Sequence, residues 1–213
     1  MEQEIRVTPE ELYYLGGLMD AKYIDYEYVA AMEDIEIKPS MYQSKVKSAL
    51  AAKGMLEEDF SGNMELPQIV KEIITPVFFG EFESNLDICV LGEEDQTERI
   101  KYHFYKKSIV KVLWGKGEWR ITKCNHEDII EEVKQHIFKT KSEIQDKIFD
   151  SDSVSQILVL KHVQIGKESM VKIYFLCEDV LFCENENEEI IPIVWEQVLE
   201  EAQKVMLPEK DLE

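Results

Sequence analysis

The apolar positions of this chain change period once along its length. Over residues 1–80 they recur every three or four places, as on helices. From Phe82 they alternate, as on strands, with helical stretches between. Thr8-Pro9-Glu10-Glu11 predicts a helix start: the threonine caps, the proline suits the first turn, and Glu11 completes a capping box. Leu12, Leu15 and Met19 follow at helical spacing, while Gly16-Gly17 either weakens that helix or lets another backbone come close. Tyr23 to Met32 predicts a second helix. Pro39 or Ser40 opens a third, through Val46, Ala49 and Leu50. Gly54 stops it, and Met55-Leu56 fold back as its hydrophobic cap. Asp59 to Asn63 has turn chemistry, and Pro67 leads into a fourth helix that ends near Pro76.

In the strand region Leu86, Ile88 and Val90 alternate up to Gly92. Ile100, Tyr102 and Phe104 then share one face, and Lys101, His103 and Tyr105 the other. A dense apolar run from Ile109 to Trp114 meets the hairpin turn Gly115-Lys116-Gly117, and Trp119 and Ile121 continue beyond it. Asn125, with Asp128 three residues on, caps a helix through Ile129, Ile130, Val133 and Ile137. A polar bridge, Lys139 to Asp152, leads to a second series. It holds Ile157 to Val163, then Val171, Ile173 and Phe175, then Val180 to Cys183 and the acidic loop Glu184 to Glu189. The short strand Ile190-Ile191-Pro192 follows, then a helix burying Trp195, Val198, Leu199 and Ala202.

The stretch Ile100 to Phe138 thus returns as Val171 to Leu207. Ile100-Lys101 falls on Val171-Lys172, Phe104 on Phe175 and Ile109-Val110 on Val180-Leu181. After a two-residue gap, Ile129-Ile130 falls on Val198-Leu199. A duplicated meander with its helix predicts an α+β fold. The expected sheet is mainly antiparallel and built from two pseudo-twofold halves, residues 81–150 and 151–213, with an N-terminal helical subdomain over residues 1–80.

The formal charge of −20 argues against nucleic-acid binding, which rests on cations neutralising phosphates. The cations are nonetheless concentrated: between Arg99 and Lys123 the only acidic residue is Glu118. Either the acidic helices of the same chain neutralise these strands, or a basic sheet face meets an acidic partner. Alternation sets Tyr105 and Tyr174 opposite Phe104 and Phe175. Aromatics among cations on a sheet make a protein-binding surface, so the candidate partner-binding residues are Lys101, Tyr105, Lys107, Arg120 and Tyr174.

Catalytic chemistry finds little purchase. The chain has no G-x-S-x-G, Walker loop or dinucleotide fingerprint, so no catalytic residues and no cofactor are expected. His126-Glu127-Asp128 with Glu131 or Glu132 superficially resembles a metal cluster, but acids in a first helical turn follow from the dipole, and no metal is expected at His126, Glu127 and Glu131. The acidic loop lacks the spacing of a calcium loop. Cys89, Cys177 and Cys183 lie in apolar runs and read as buried thiols, with a Cys177–Cys183 pair or a redox thiol left open. No apolar run reaches the ~20 residues of a membrane helix. The acidic N-terminus carries no signal sequence, so a cytoplasmic protein is expected.

The order of elements, with Thr8-Pro9-Glu10-Glu11 at the first helix and Ala49-Leu50-Ala51-Ala52-Lys53-Gly54-Met55 closing the third, resembles the EspG-type chaperones of ESX (type VII) secretion systems. That resemblance implies a sheet of two pseudo-twofold halves with helical subdomains. It also implies a cytosolic, non-enzymatic protein that keeps a helical secretion substrate soluble. The Lys-, Ile- and Glu-rich composition departs from the Ala- and Arg-rich family pattern. It points to a low-GC bacterial host and to a WXG- or LXG-type substrate in place of a PE–PPE pair. Two other classes stay open: an immunity or inhibitor protein that neutralises a toxin, and a winged-helix regulator, whose core closes with a similar Lys-Gly-Met-Leu helix stop.

Overall fold

The computed structural model describes residues 4–30, 32, 39–92, 96–137, 148–164, 169–185 and 187–207. It is an α+β fold. The helices are α1 (Pro9–Leu18), α2 (Tyr26–Val29), α3 (Pro39–Ala52), α4 (Gln68–Phe79), α5 (His126–Ile137) and α6 (Trp195–Met206). A small hairpin joins β2 (Glu57–Glu58) to β3 (Met64–Glu65). The remaining strands are β1 (Glu4–Val7), β4 (Phe82–Val90), β5 (Gln96–Tyr105), β6 (Ser108–Gly115), β7 (Glu118–Cys124), β8 (Val154–Gln164), β9 (Met170–Cys177), β10 (Val180–Glu184) and β11 (Ile190–Ile193). They form a nine-stranded antiparallel sheet in the order β1-β7-β6-β5-β4-β8-β9-β10-β11. The expected polar bridge, Lys139 to Asp152, lies mostly outside the described residues.

Two compact units divide the chain, one of residues 1–80 and 110–123, the other of residues 81–109 and 124–213. In the first unit, Thr8 caps α1 through a capping box: the Glu11 amide donates to Thr8 Oγ1 at 3.3 Å, and the Thr8 amide donates to Glu11 Oε2 at 2.8 Å. Glu11 is buried, and Lys53 compensates it at 2.7 Å while also donating to Glu118 and to the Arg6 carbonyl. Burial pulls the Lys53 ammonium down, but its bonds to Glu11 and Glu118 outweigh that and leave it raised. Gly54 takes a φ of +68° to stop α3, and the Met55 amide donates to the Leu50 carbonyl at 2.8 Å.

Two expectations fail in this unit. The second helix spans only Tyr26–Val29, capped by Asp25, rather than Tyr23 to Met32. The fourth does not end near Pro76 but runs through it to Phe79. An interior proline costs about 3 kcal/mol. Here Val77 and Phe78 pack on the core just beyond it, which offsets that cost. Phe78 also accounts for Gly16. A Cβ there would stand 2.7 Å from Ile24 and 3.1 Å from Phe78, so the glycine admits two side chains rather than a backbone. Val110, Val112, Trp119 and Ile121 join this helical core, and Trp119 Nε1 donates to the Tyr28 carbonyl at 3.1 Å.

The second unit is built on the β4–β8 ladder. Leu86 faces Leu160 at its middle, with Ser84–His162 on one side and Ile88–Leu158 on the other. Asn125 caps α5 as expected, accepting from the amides of Glu127 and Asp128. Helices α5 and α6 pack together on one face of the sheet. Tyr174 on β9 bonds to Glu201 of α6, and Phe104 on β5 stacks on His126 of α5 with ring centroids 6.5 Å apart. These contacts fix which way each strand points.

They also correct the internal alignment. Phe104 faces the helices, but Phe175 faces away from them and packs on Phe149 and Phe182. Those two phenylalanines are therefore not equivalent. The residue that matches Tyr102 is Tyr174, one place further along than the sequence comparison put it. The hairpin turns agree with this register, since Lys106 and Glu178 occupy left-handed positions at φ 53° and 55°. A slip of one residue exchanges the faces of a whole strand. On the helices the comparison keeps its phase: Ile129, Val133 and Ile137 are buried on α5 as Val198, Ala202 and Met206 are on α6.

Candidate functional site

With the faces fixed, each candidate residue can be placed. Tyr174 is not a surface residue. It is 0% exposed on the helix side, and its hydroxyl donates to Glu201 Oε2 at 2.5 Å. Burial, and then this bond, push its phenol well above the ordinary range. Lys101 is 3% exposed and lies 3.5 Å from Glu83. Both were expected on a binding face, and both are buried instead. The reason for Tyr174 is the slipped register, while Lys101 meets the acidic Glu83 of the neighbouring strand. Tyr105 is half-buried on the face away from the helices, with Lys106 Nζ 5.1 Å from its ring centre, and Lys107 is exposed beside it. Tyr105 and Tyr174 thus point to opposite faces. Arg120 is half-buried in the first unit, on β7 opposite Arg6 of β1.

Part of the basic stretch is answered within the chain. Arg99 makes a two-point ion pair with Asp87, at 2.6 and 2.9 Å, and Lys123 meets Glu72 at 2.7 Å. Most of the neutralising acids come from the adjacent strand β4, and one comes from α4.

The face of the second unit away from α5 and α6 has a graded surface. Register lines up Arg99, Asp87, Val159 and Ile173 across β5, β4, β8 and β9, and the next row reads Lys101, Asn85, Lys161 and Val171. Charged pairs occupy the β4–β5 end. The β8–β9 end carries Val159, Val171 and Ile173, with Val171 47% and Ile173 40% exposed, and Lys161 stands among them. At about 4.8 Å per strand the rows are about 14 Å wide, the scale of one helix laid across them. Val159, Val171 and Ile173 were missed as site residues because the alternating run Val171, Ile173 and Phe175 was matched to a run that faces the helices. The polar doublets at the two hairpin turns, Lys106-Lys107 and Glu178-Asp179, carry the signal that places them correctly.

On the helix side, a cleft of about 360 Å³ between α6 and strands β9 to β11 has Cys183 and Ile193 in its floor, with Lys172, Glu201 and Lys204 around it. Burial and then Glu201 push the Cys183 thiol up, the opposite of activation. Cys177 packs with Phe182 on the other face, so the two thiols cannot pair. His126 stacks on Phe104, while Glu127 and Glu131 are exposed. Among the described residues no group of three or more His, Cys, Asp or Glu is placed to hold a metal ion. No described helix is long and apolar enough to cross a membrane.

No known family model matches the chain, and no curated protein matches it by sequence. Its fold, however, is similar to that of a solved type VII secretion system chaperone. The chain is similar to EspG5, the type VII secretion system chaperone of Mycobacterium tuberculosis, whose structure was solved in complex with a PE25–PPE41 dimer. The likeness covers 96% of both chains with a TM-score of 0.66 and 10% identity.

Proposed function

We propose that this protein is a secretion chaperone that acts by binding rather than by catalysis. It holds a small helical type VII substrate of the WXG or LXG kind soluble in the cytosol. The observation that carries this reading is the end-to-end likeness to a chaperone of such a system. The graded face of the second unit supports it, because an aliphatic strip beside ion pairs matches the apolar stripe and polar flanks of an amphipathic helix. Val171 and Ile173 serve as anchors, Val159 extends the strip, and Arg99, Lys107 and Tyr105 form the rim. Of the residues expected from sequence, Tyr105 and Lys107 remain in this site.

The test is co-expression with WXG- and LXG-type proteins from the same host. A substrate that is insoluble alone becomes soluble in a defined complex. Ile173→Asp lowers its affinity by about 2 kcal/mol, as loss of a buried anchor does. Tyr105→Ala has a smaller effect, and both variants keep the wild-type melting temperature. If no such protein forms a complex, the reading fails. If the complex is indifferent to Ile173→Asp, the interface lies elsewhere.

A further inference from the structure

The β2–β3 hairpin has no place in that reading, yet it is firmly built. Leu56 and Leu66, on either side of it, are buried in the core of the first unit, and Met55 is buried before it. At the tip, the Asp59 carboxylate accepts from the amides of Ser61 and Asn63, each at 2.8 Å, and from the Asn63 side chain at 3.0 Å. The Asp59 amide donates to the Asn63 carbonyl at 2.8 Å, and Gly62 turns the chain at a φ of +83°. Bonds from Asn63 hold the Asp59 carboxyl below the usual range. This ordered tip lifts Phe60 wholly into solvent. The same hairpin carries Glu57, Glu58, Asp59 and Glu65, and no cation occurs between Gly54 and Gln68.

We propose that this hairpin is a docking finger whose Phe60 enters an apolar groove rimmed by lysine or arginine on a partner protein. A preordered loop loses little freedom on binding, so an aromatic ring held out in this way is suited to act as an anchor. Its four carboxylates choose the partner: they complement a basic rim and repel both phosphate backbones and anionic lipid surfaces. The finger lies outside the proposed substrate face, so either assignment can fail without the other.

The test uses the full chain and a short fluorescent amphipathic helix with a leucine stripe flanked by lysine, beside its counterpart with glutamate in place of lysine. Anisotropy should show binding of the lysine peptide only, weakened about tenfold or more by Phe60→Ser. Paired Glu57→Gln and Glu58→Gln changes should weaken it further and flatten its salt dependence. The melting temperature checks that Phe60→Ser leaves the fold intact, as its full exposure implies. Equal affinity in the wild type and Phe60→Ser overturns the proposal, since the peptide is then held by charge elsewhere. Phe60-dependent flotation with phosphatidylcholine vesicles also overturns it, because the finger then reads a membrane.

Discussion

Tyr102 on β5 and Tyr174 on β9 occupy matched places before the turns at Lys106 and Glu178, and each has a glutamate near it on its helix, but the two phenols end differently. Tyr174 donates to Glu201. Tyr102 is buried with no hydrogen-bond partner for its hydroxyl, and burial, then the Glu132 charge, push its phenol up. The β4–β8 ladder shows the same divergence. On one side of Leu86–Leu160 the pair is Ser84–His162, with the Ser84 hydroxyl donating to the Met206 carbonyl at 2.8 Å and His162 Nδ1 3.0 Å from its oxygen. On the other side it is the apolar pair Ile88–Leu158. Matched backbone positions do not require matched polar chemistry. Apolar spacing holds the frame, and the buried polar groups are where the halves differ.

The largest test of that frame is at its centre. Leu86 and Leu160 are both fully buried on the helix side. Leu86→Ala and Leu160→Ala should each cost about 3 kcal/mol, as buried leucine truncations do. The costs should agree to within about 1 kcal/mol if the two sites share one environment. Urea unfolding of both variants measures this. A mild loss at one site with a severe loss at the other breaks the equivalence.

Element type was legible in the chain because its signals are local. The capping box at Thr8, the Gly54 stop, the turn at Asp59 and the Asn125 cap each place a backbone donor or acceptor within a few residues. The helix phase was legible too, because one apolar stripe allows one phase. Strand register was not. Both Lys172-Ile173-Tyr174 and Val171-Lys172-Ile173 alternate acceptably against the first hairpin, and two phenylalanines drew the comparison to the wrong one. The fate of Pro76 and the burial of Lys101 depend on partners distant in sequence, so no window around either residue contains the answer. The binding face inherits the register error: with the slip removed, its aliphatic end appears and Tyr174 leaves it.

Tyr174→Phe sharpens the comparison next. It removes a charge-assisted bond and leaves Glu201 with Lys172 at 3.9 Å. The loss should be about 2 kcal/mol, since bonds to charged groups contribute about 1.5–3 kcal/mol. Glu201→Gln should recover part of that loss in the double variant, because no carboxylate then lacks its donor. A Tyr174→Phe protein as stable as the wild type would mean that the bond adds nothing, and the two phenols would be alike after all.

Tyr102→Phe has the smallest expected effect and the opposite sign. The hydroxyl it removes is buried without a bond, and an unsatisfied group of this kind costs about 1–3 kcal/mol. Phenylalanine keeps the ring and its packing, so the variant should be unchanged or up to about 1 kcal/mol more stable at neutral pH. Alkaline titration gives a second reading. Both phenols sit above their usual value of 10.0 in the folded protein. The folded state therefore keeps protons that the unfolded chain releases, and stability is fully present below about pH 10 and falls as pH rises beyond it. Each phenol contributes about 1.4 kcal/mol per pH unit to that fall. Tyr102→Phe should therefore make the alkaline decline shallower while losing nothing at neutral pH, whereas Tyr174→Phe makes it shallower from a lower starting point. A loss of about 1 kcal/mol or more in Tyr102→Phe at neutral pH would show that its hydroxyl has a partner, and that the two halves are satisfied alike.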